Sequence, residues 1–285
     1  MQIAVLGMHR SGTSAIARLL NLAGCGFGPS SSAMAAHADN PLGFWERQDV
    51  CDLHEWVLAE GGAAWDRPLA FEADGLSPAV HDEFVARAEA IIDSFPTGRP
   101  WFVKDPRLCV LLPLWRPLLR EPVCVHIIRH PLEVAASLAV RNGIPIGVGL
   151  ALWELHVVRA RRAAFDLNWV GVRHRDLLVD PVTTLADTVT ALRSFGVSGL
   201  HMPSEREITD FITSDLHHHH WDRPDLADWT DCPQVRLFEA IDADFPDADA
   251  IPDVMSLDSV ATLARIETIA RSGCGVAESP WFAPA

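Results

Sequence analysis

The first dozen residues constrain the fold more than anything that follows. Residues 3–6 make a short apolar strand that runs directly into Gly7-Met8-His9-Arg10-Ser11-Gly12-Thr13-Ser14. Ile16, Leu19, Leu20 and Ala23 then recur at helical spacing, and Gly24 closes the stretch. Strand, glycine loop and helix in this order gather backbone N–H groups at a helix N-terminus, where they can wrap an anion. Such a strand also needs parallel neighbours, because the helix carries the chain back across one face of a sheet.

The rest of the chain supplies that sheet. Residues 123–128 contain only His126 as a polar residue, the pattern of a buried strand. They end at Arg129-His130-Pro131, where Pro131 suits the first helical position and Glu133 the first turn. Apolar runs at 101–103 and 169–172 read as further strands, and 50–59, 79–94, 131–141, 148–165 and 182–195 as helices. The alternation predicts an α/β fold, a central parallel sheet flanked by helices on both faces. Residues 26–43, rich in Ser, Ala, Pro and Gly, read as a loop. Beyond Gly196 the pattern weakens into acidic, proline-containing segments, so a mainly helical or irregular region is expected there. The expected division is a core of residues 1–196 and an acidic C-terminal extension, 197–285, packed on it.

Charge narrows the partners. The 285 residues carry 23 Lys and Arg against 38 Asp and Glu, a formal charge of −15. Residues 197–285 hold 17 of those acids and only 5 arginines. Long polyanions are repelled by such a chain, so no nucleic acid partner is expected, while a small anion in a local basic pocket is compatible. No apolar run reaches the roughly 18 residues of a membrane span. The first charge, Arg10, follows the apolar stretch instead of preceding it, so a cytoplasmic setting is expected. The six cysteines include no CxxC pair and read as buried apolar residues. Four histidines at 217–220 lack Cys or carboxylate partners at useful spacing and read as a loop or helix-end feature.

Gly7 and Gly12 have Walker A spacing, but Thr13 and Ser14 follow where an NTPase places Lys and Ser or Thr. Arg10 stands in the loop instead. Residues 123–128 likewise end in a cation, Arg129, where a magnesium NTPase wants an acid. Asp105, after the 101–103 strand, keeps a P-loop small-molecule kinase open as an alternative. Arg10, Arg129, Arg107 and Lys104, the one lysine in the chain, together suit a highly anionic ligand held with no metal.

These residues resemble a known family. Arg10-Ser11-Gly12-Thr13-Ser14 resembles the 5′-phosphosulfate loop of sulfotransferases dependent on 3′-phosphoadenosine 5′-phosphosulfate (PAPS). Ile127-Ile128-Arg129-His130-Pro131, followed by Ser137, resembles their 3′-phosphate motif. Asn40-Pro41-Leu42-Gly43-Phe44-Trp45-Glu46, Lys104-Asp105-Pro106-Arg107 and Asp176-Leu177-Leu178-Val179-Asp180-Pro181 are similar to a bacterial branch of the family, in the expected order. The resemblance implies an α/β fold with a P-loop NTPase-like central parallel sheet, and transfer of a sulfuryl group from PAPS to an acceptor hydroxyl or amine, giving PAP and needing no metal. It implies that Arg10, Ser11, Gly12, Thr13 and Ser14 hold the phosphosulfate and that Arg129 and Ser137 hold the 3′-phosphate. Lys104 would steady the sulfuryl or the bridging oxygen as charge moves to the leaving group, and Glu46 would be the general base with His9 as its rival. His174 stands where relatives often carry a tyrosine near the adenine; a solvated strand-end histidine is the other reading. A non-catalytic nucleotide-binding relative would keep Arg10 and Arg129 without needing Glu46 or Lys104. The acceptor is expected to be a small or glycosylated molecule, with Trp45, Trp56 and Trp65 as candidate stacking surfaces. No oligomeric state follows from the sequence.

Overall fold

The computed structural model describes residues 1–34, 43–212, 224–245, 247 and 249–271. Asn40, Pro41, Leu42, the histidines at 217–220 and Cys274 lie outside them. Four strands, β1 (Gln2–Leu6), β2 (Trp101–Lys104), β3 (Val123–Ile128) and β4 (Asn168–Arg173), form one parallel sheet in the order β2-β1-β3-β4. The two central strands are apolar and almost wholly buried, whereas the edge strand β4 alternates between buried and partly exposed residues. The other edge is covered at Gly26, whose carbonyl accepts from the Phe102 N–H at 3.1 Å.

Period-two alternation along β1 sends its side chains into two layers. Ile3 and Val5 face a layer completed by Ile16, Leu19 and Leu20 of α1 (Thr13–Leu22) and by Leu185, Val189 and Leu192 of α8 (Pro181–Ser194). Ala4 and Leu6 face the other layer. It is built by α2 (Gln48–Glu60), α3 (Pro78–Asp93), α4 (Leu108–Trp115), α5 (Pro131–Asn142) and α6 (Ile146–Ala163). Pro131 opens α5, and Gly143 ends it in the left-handed conformation with φ 68°. A short helix, α7 (His174–Val179), follows β4 directly.

No strand follows Gly196 among the described residues. The acidic stretch folds instead as α9 (Glu205–Thr209), α10 (Pro233–Asp244) and α11 (Leu257–Arg271). Ile208 joins the α1 layer, and Ile241 and Leu263 join the opposite one. Glu154 of α6, 2% exposed, accepts from Gln234 Nε2 (2.8 Å), Ser256 Oγ (2.8 Å) and Ser259 Oγ (2.6 Å), which ties α10 and α11 to the body. Among the described residues, no helix is long and apolar enough to cross a membrane.

Candidate functional site

In a parallel sheet all carboxyl ends share one rim, so each loop that follows a strand reaches the same edge. After β1 comes the glycine loop. Gly12 stands at φ +88°, and a Cβ there would lie 2.5 Å from His174 Cδ2. No side chain caps α1 at Gly12, the arrangement that presents first-turn N–H groups to an anion. The N–H of Gly7 points the other way, to Cys109 Sγ at 3.2 Å. Arg10 is left-handed too, at φ 67°, which is uncommon for a residue with a side chain.

That conformation has a consequence. It directs the Arg10 carbonyl to Arg129 Nη1, which donates to it at 3.0 Å, while Arg10 Nε donates to Ser137 Oγ at 2.9 Å. Arg129 is further fixed by Glu133 Oε2, 2.8 Å from its Nε, and by Trp153 Nε1, which donates to its carbonyl at 3.0 Å. Residues separated by more than a hundred positions thus meet in one cluster of two guanidinium groups and a hydroxyl.

Lys104, at the end of β2, is 3% exposed. Its Nζ donates to Phe44 O (2.9 Å), Ser14 Oγ (3.2 Å) and Glu46 Oε1. Trp45, between the two partners Phe44 and Glu46, is left-handed at φ 54°, and the turn aims both neighbours at one ammonium. Glu46 is itself only 8% exposed, and Cys51 Sγ lies 3.6 Å from its second oxygen. An exposed glutamate is therefore not what this position holds.

Asp105 anchors a second polar group. It accepts from the Arg107 N–H (2.7 Å) and Arg107 Nη1 (2.8 Å), and Arg107 Nη2 also reaches Glu55 (2.6 Å). Trp115 Nε1 donates to His54 Nε2 at 2.7 Å, so the His54 proton sits on Nδ1, facing Asp105 at 3.4 Å. Burial pushes the Asp105 carboxyl up, but Arg107 and His54 outweigh it and hold it well below its ordinary value. Arg107 is thus held by carboxylates, beside His9 of the glycine loop but outside the Arg10–Arg129 cluster. Glu46, Cys51 and Asp105 bring ligand atoms within 4.8 Å of one another. Lys104 and Arg107 already balance the two carboxylates, so the donor set does not favour a divalent ion.

His9, within the glycine loop, has its ring 4.7 Å from Trp65 and 6.2 Å from His156. Burial, then the Arg107 charge, keeps its pKa well below the ordinary value, so the ring is neutral at pH 7. Its Nε2 is buried without a hydrogen-bond partner among the described residues. Of the three tryptophans singled out, only Trp65 lies there: Trp45 packs under Arg18 (4.4 Å) and Trp56 against Arg87 (4.7 Å). His174 is 5% exposed and packed on Gly12, so the solvated reading does not hold. Sequence reasoning missed Cys51 and His54. Their signal was a polar pair three apart on the buried face of α2.

A model of a family described as the sulfotransferase family matches residues 2–193. The chain belongs to the sulfotransferase family. Two solved structures are similar to this sulfotransferase. One is the sulfotransferase domain from the Synechococcus PCC 7002 olefin synthase, with 17% identity, TM-score 0.46 and 93% of this chain and 94% of that one covered. The other is the sulfotransferase domain from the curacin biosynthetic pathway, with 15% identity, TM-score 0.44 and 93% and 96% covered. No curated protein matches the chain.

Proposed function

We propose that this sulfotransferase takes its sulfuryl group from PAPS and passes it to a hydroxyl, or amine, of a small-molecule or glycosylated acceptor, releasing PAP. The observation that carries the reading is the meeting of Arg10, Arg129 and Ser137 beside a phosphate-type loop. Two guanidinium groups on neighbouring strand ends suit a nucleotide phosphorylated at both its 5′ and 3′ positions. The loop, from Ser11 to Ser14, would hold the phosphosulfate through N–H groups and hydroxyls. Lys104, bonded to Ser14, would meet the oxygen that joins phosphate to sulfuryl as negative charge gathers on it. As that S–O bond breaks, the acceptor oxygen bonds to sulfur and its proton passes to a base. Glu46 is the first choice, because Lys104 ties it to the loop, and neutral His9 is the second. In this reading Arg107 acts through the charge it sets around Asp105, and His174 supports the nucleoside side of the loop. Residues 1–196 form the donor-binding core, with 197–285 as its extension, in a cytoplasmic enzyme needing no metal.

Thermal shifts test the donor. PAP should raise Tm more than ADP does, by linkage of binding to folding. Arg129→Ala should weaken PAP about 10- to 100-fold, the loss of a charge-assisted bond of about 1.5–3 kcal/mol, with little change for ADP. Equal shifts for PAP and ADP overturn the 3′-phosphate role, and a larger shift with ATP and magnesium moves the reading to a kinase.

A further inference from the structure

The segment 61–72, between α2 and α3, crosses in front of His9. Its tip is a tight turn in which the Arg67 N–H donates to Ala64 O at 3.0 Å, and that turn carries Trp65 to the His9 ring. Behind the turn, two side chains from distant helices grip the main chain. Arg159 of α6 donates to Leu69 O and Phe71 O, both at 2.7 Å. Glu267 of α11 accepts from the N–H groups of Leu69 (2.7 Å) and Ala70 (3.3 Å) through one oxygen. Leu69 is therefore held at both its N–H and its C=O. Glu267 is 6% exposed, and its second oxygen meets Arg271 at 3.3 Å. A buried carboxylate directed at two main-chain amides is a strong constraint on where that chain runs. Residue 267 lies beyond the region, 2–193, that the family model matches.

We propose that Glu267 and Arg159 are positioning residues for the acceptor site: they clamp the 61–72 segment so that Trp65 stays against His9 and screens the glycine loop from water. The idea rests on the sulfuryl-transfer reading of that site. Trp65 offers the acceptor an indole face beside the buried His9 Nε2, which has no hydrogen-bond partner among the described residues; this suits a ring-bearing acceptor, apolar or sugar, rather than a linear chain. The acidic C-terminal helix α11 thus shapes the acceptor side through Glu267.

The full chain carrying Glu267→Ala tests this, with no acceptor needed. Amide hydrogen exchange across 63–72 should quicken about tenfold or more while β1 to β4 keep wild-type protection. Two further readouts separate positioning from mere attachment. The His9 imidazole, followed by NMR, feels Arg107, His156, Asp105 and Arg141. As water reaches it, its titration should move up toward the ordinary value of 6.5. PAPS with water as the sole acceptor should break down faster by several-fold: water oxygen bonds to sulfur, the phosphosulfate S–O bond breaks, and PAP, sulfate and two protons are released. Glu267→Gln, which keeps an acceptor oxygen, should restore most of each signal; if the alanine variant does not fold, Arg159→Gln, which loosens the grip on Leu69 O and Phe71 O, is read by the same three measurements with the same expected changes. Unchanged exchange, or faster exchange with His9 titration and PAPS breakdown as in wild type, overturns the proposal. Failure of PAP to shift the wild-type Tm would instead sink the donor reading, leaving the exchange and titration results to judge the clamp.

Discussion

Glu46→Gln probes a buried ion pair and a candidate base in one substitution. The Lys104 side chain is 1% exposed and that of Glu46 10%, so glutamine leaves a buried ammonium without its counter-charge. Deleting one partner of a buried pair costs about 3–5 kcal/mol. Lys104 keeps Phe44 O at 2.9 Å and Ser14 Oγ at 3.2 Å, which places this case at the lower end, about 3 kcal/mol. At about 2–4 °C per kcal/mol for a large domain, Tm should fall by about 6–12 °C. Glu46→Gln/Lys104→Met removes the orphaned charge as well and should recover more than half of that loss. Scanning calorimetry on wild type, both single variants and the double variant closes the cycle. Turnover of Glu46→Gln, measured by PAP release well below its Tm, should drop by about 10²–10⁴ if the carboxylate takes the acceptor proton. PAP binding should hold. A Tm within about 1 °C of wild type would refute the buried pair. Normal turnover would pass the proton to His9, with His9→Ala as the next variant.

Sulfuryl transfer should persist in EDTA, since Lys104 and Arg107 already face the carboxylates of Glu46 and Asp105; strict dependence on magnesium would refute this. Acid should weaken the fold through buried histidines, because burial lowers His126 to about 3 and His156 to about 4. Their folded values lie below the unfolded one, so stability is complete above about pH 6.5 and falls as pH drops, by about 2 kcal/mol for each at pH 5. A Tm that is flat from pH 7 to 5 would contradict it, and His126→Phe should lessen the slope. Gly12→Ala should abolish the PAP thermal shift, since its Cβ meets His174 at 2.5 Å and its backbone is left-handed. Adding His174→Ala relieves the contact but not the backbone strain of about 1–2 kcal/mol, so recovery should be partial.

Legibility followed locality. The strand at 123–128 is found with the expected bounds, and the loop with its helix sits where the first dozen residues put it, because apolar runs and glycines act within a few positions. The helix read at 148–165 is Ile146–Ala163, a shift of two residues at each end. Contacts made across the chain were not readable. Spacing says nothing of Arg10 meeting Ser137, 127 positions away, or of Glu267 meeting Leu69, 198 away. Glu46 falls between the 26–43 loop and the 50–59 helix read from the sequence, and its burial depends on a left-handed Trp45 that no propensity favours. The C-terminal helices were obscured by acidity, yet Ile208, Ile241 and Leu263 suffice to dock them.

The strand order gives the rim a direction. Along the chain the segments run as glycine loop, Lys104, Arg129 and His174, but in space the order is Lys104, glycine loop, Arg129 and His174, because β2 lies outside β1. Three interstrand gaps of about 4.8 Å make a track of about 14 Å with unlike ends. From the β2 side an ammonium paired with a carboxylate reaches the loop; from the β4 side an imidazole reaches back over it to pack on Gly12. Under the proposed donor reading, an extended anion laid along this rim would fit in one sense only, since reversal would exchange the ammonium side for the imidazole side. Polarity of that kind belongs to the sheet topology, so no single side-chain exchange turns the site around.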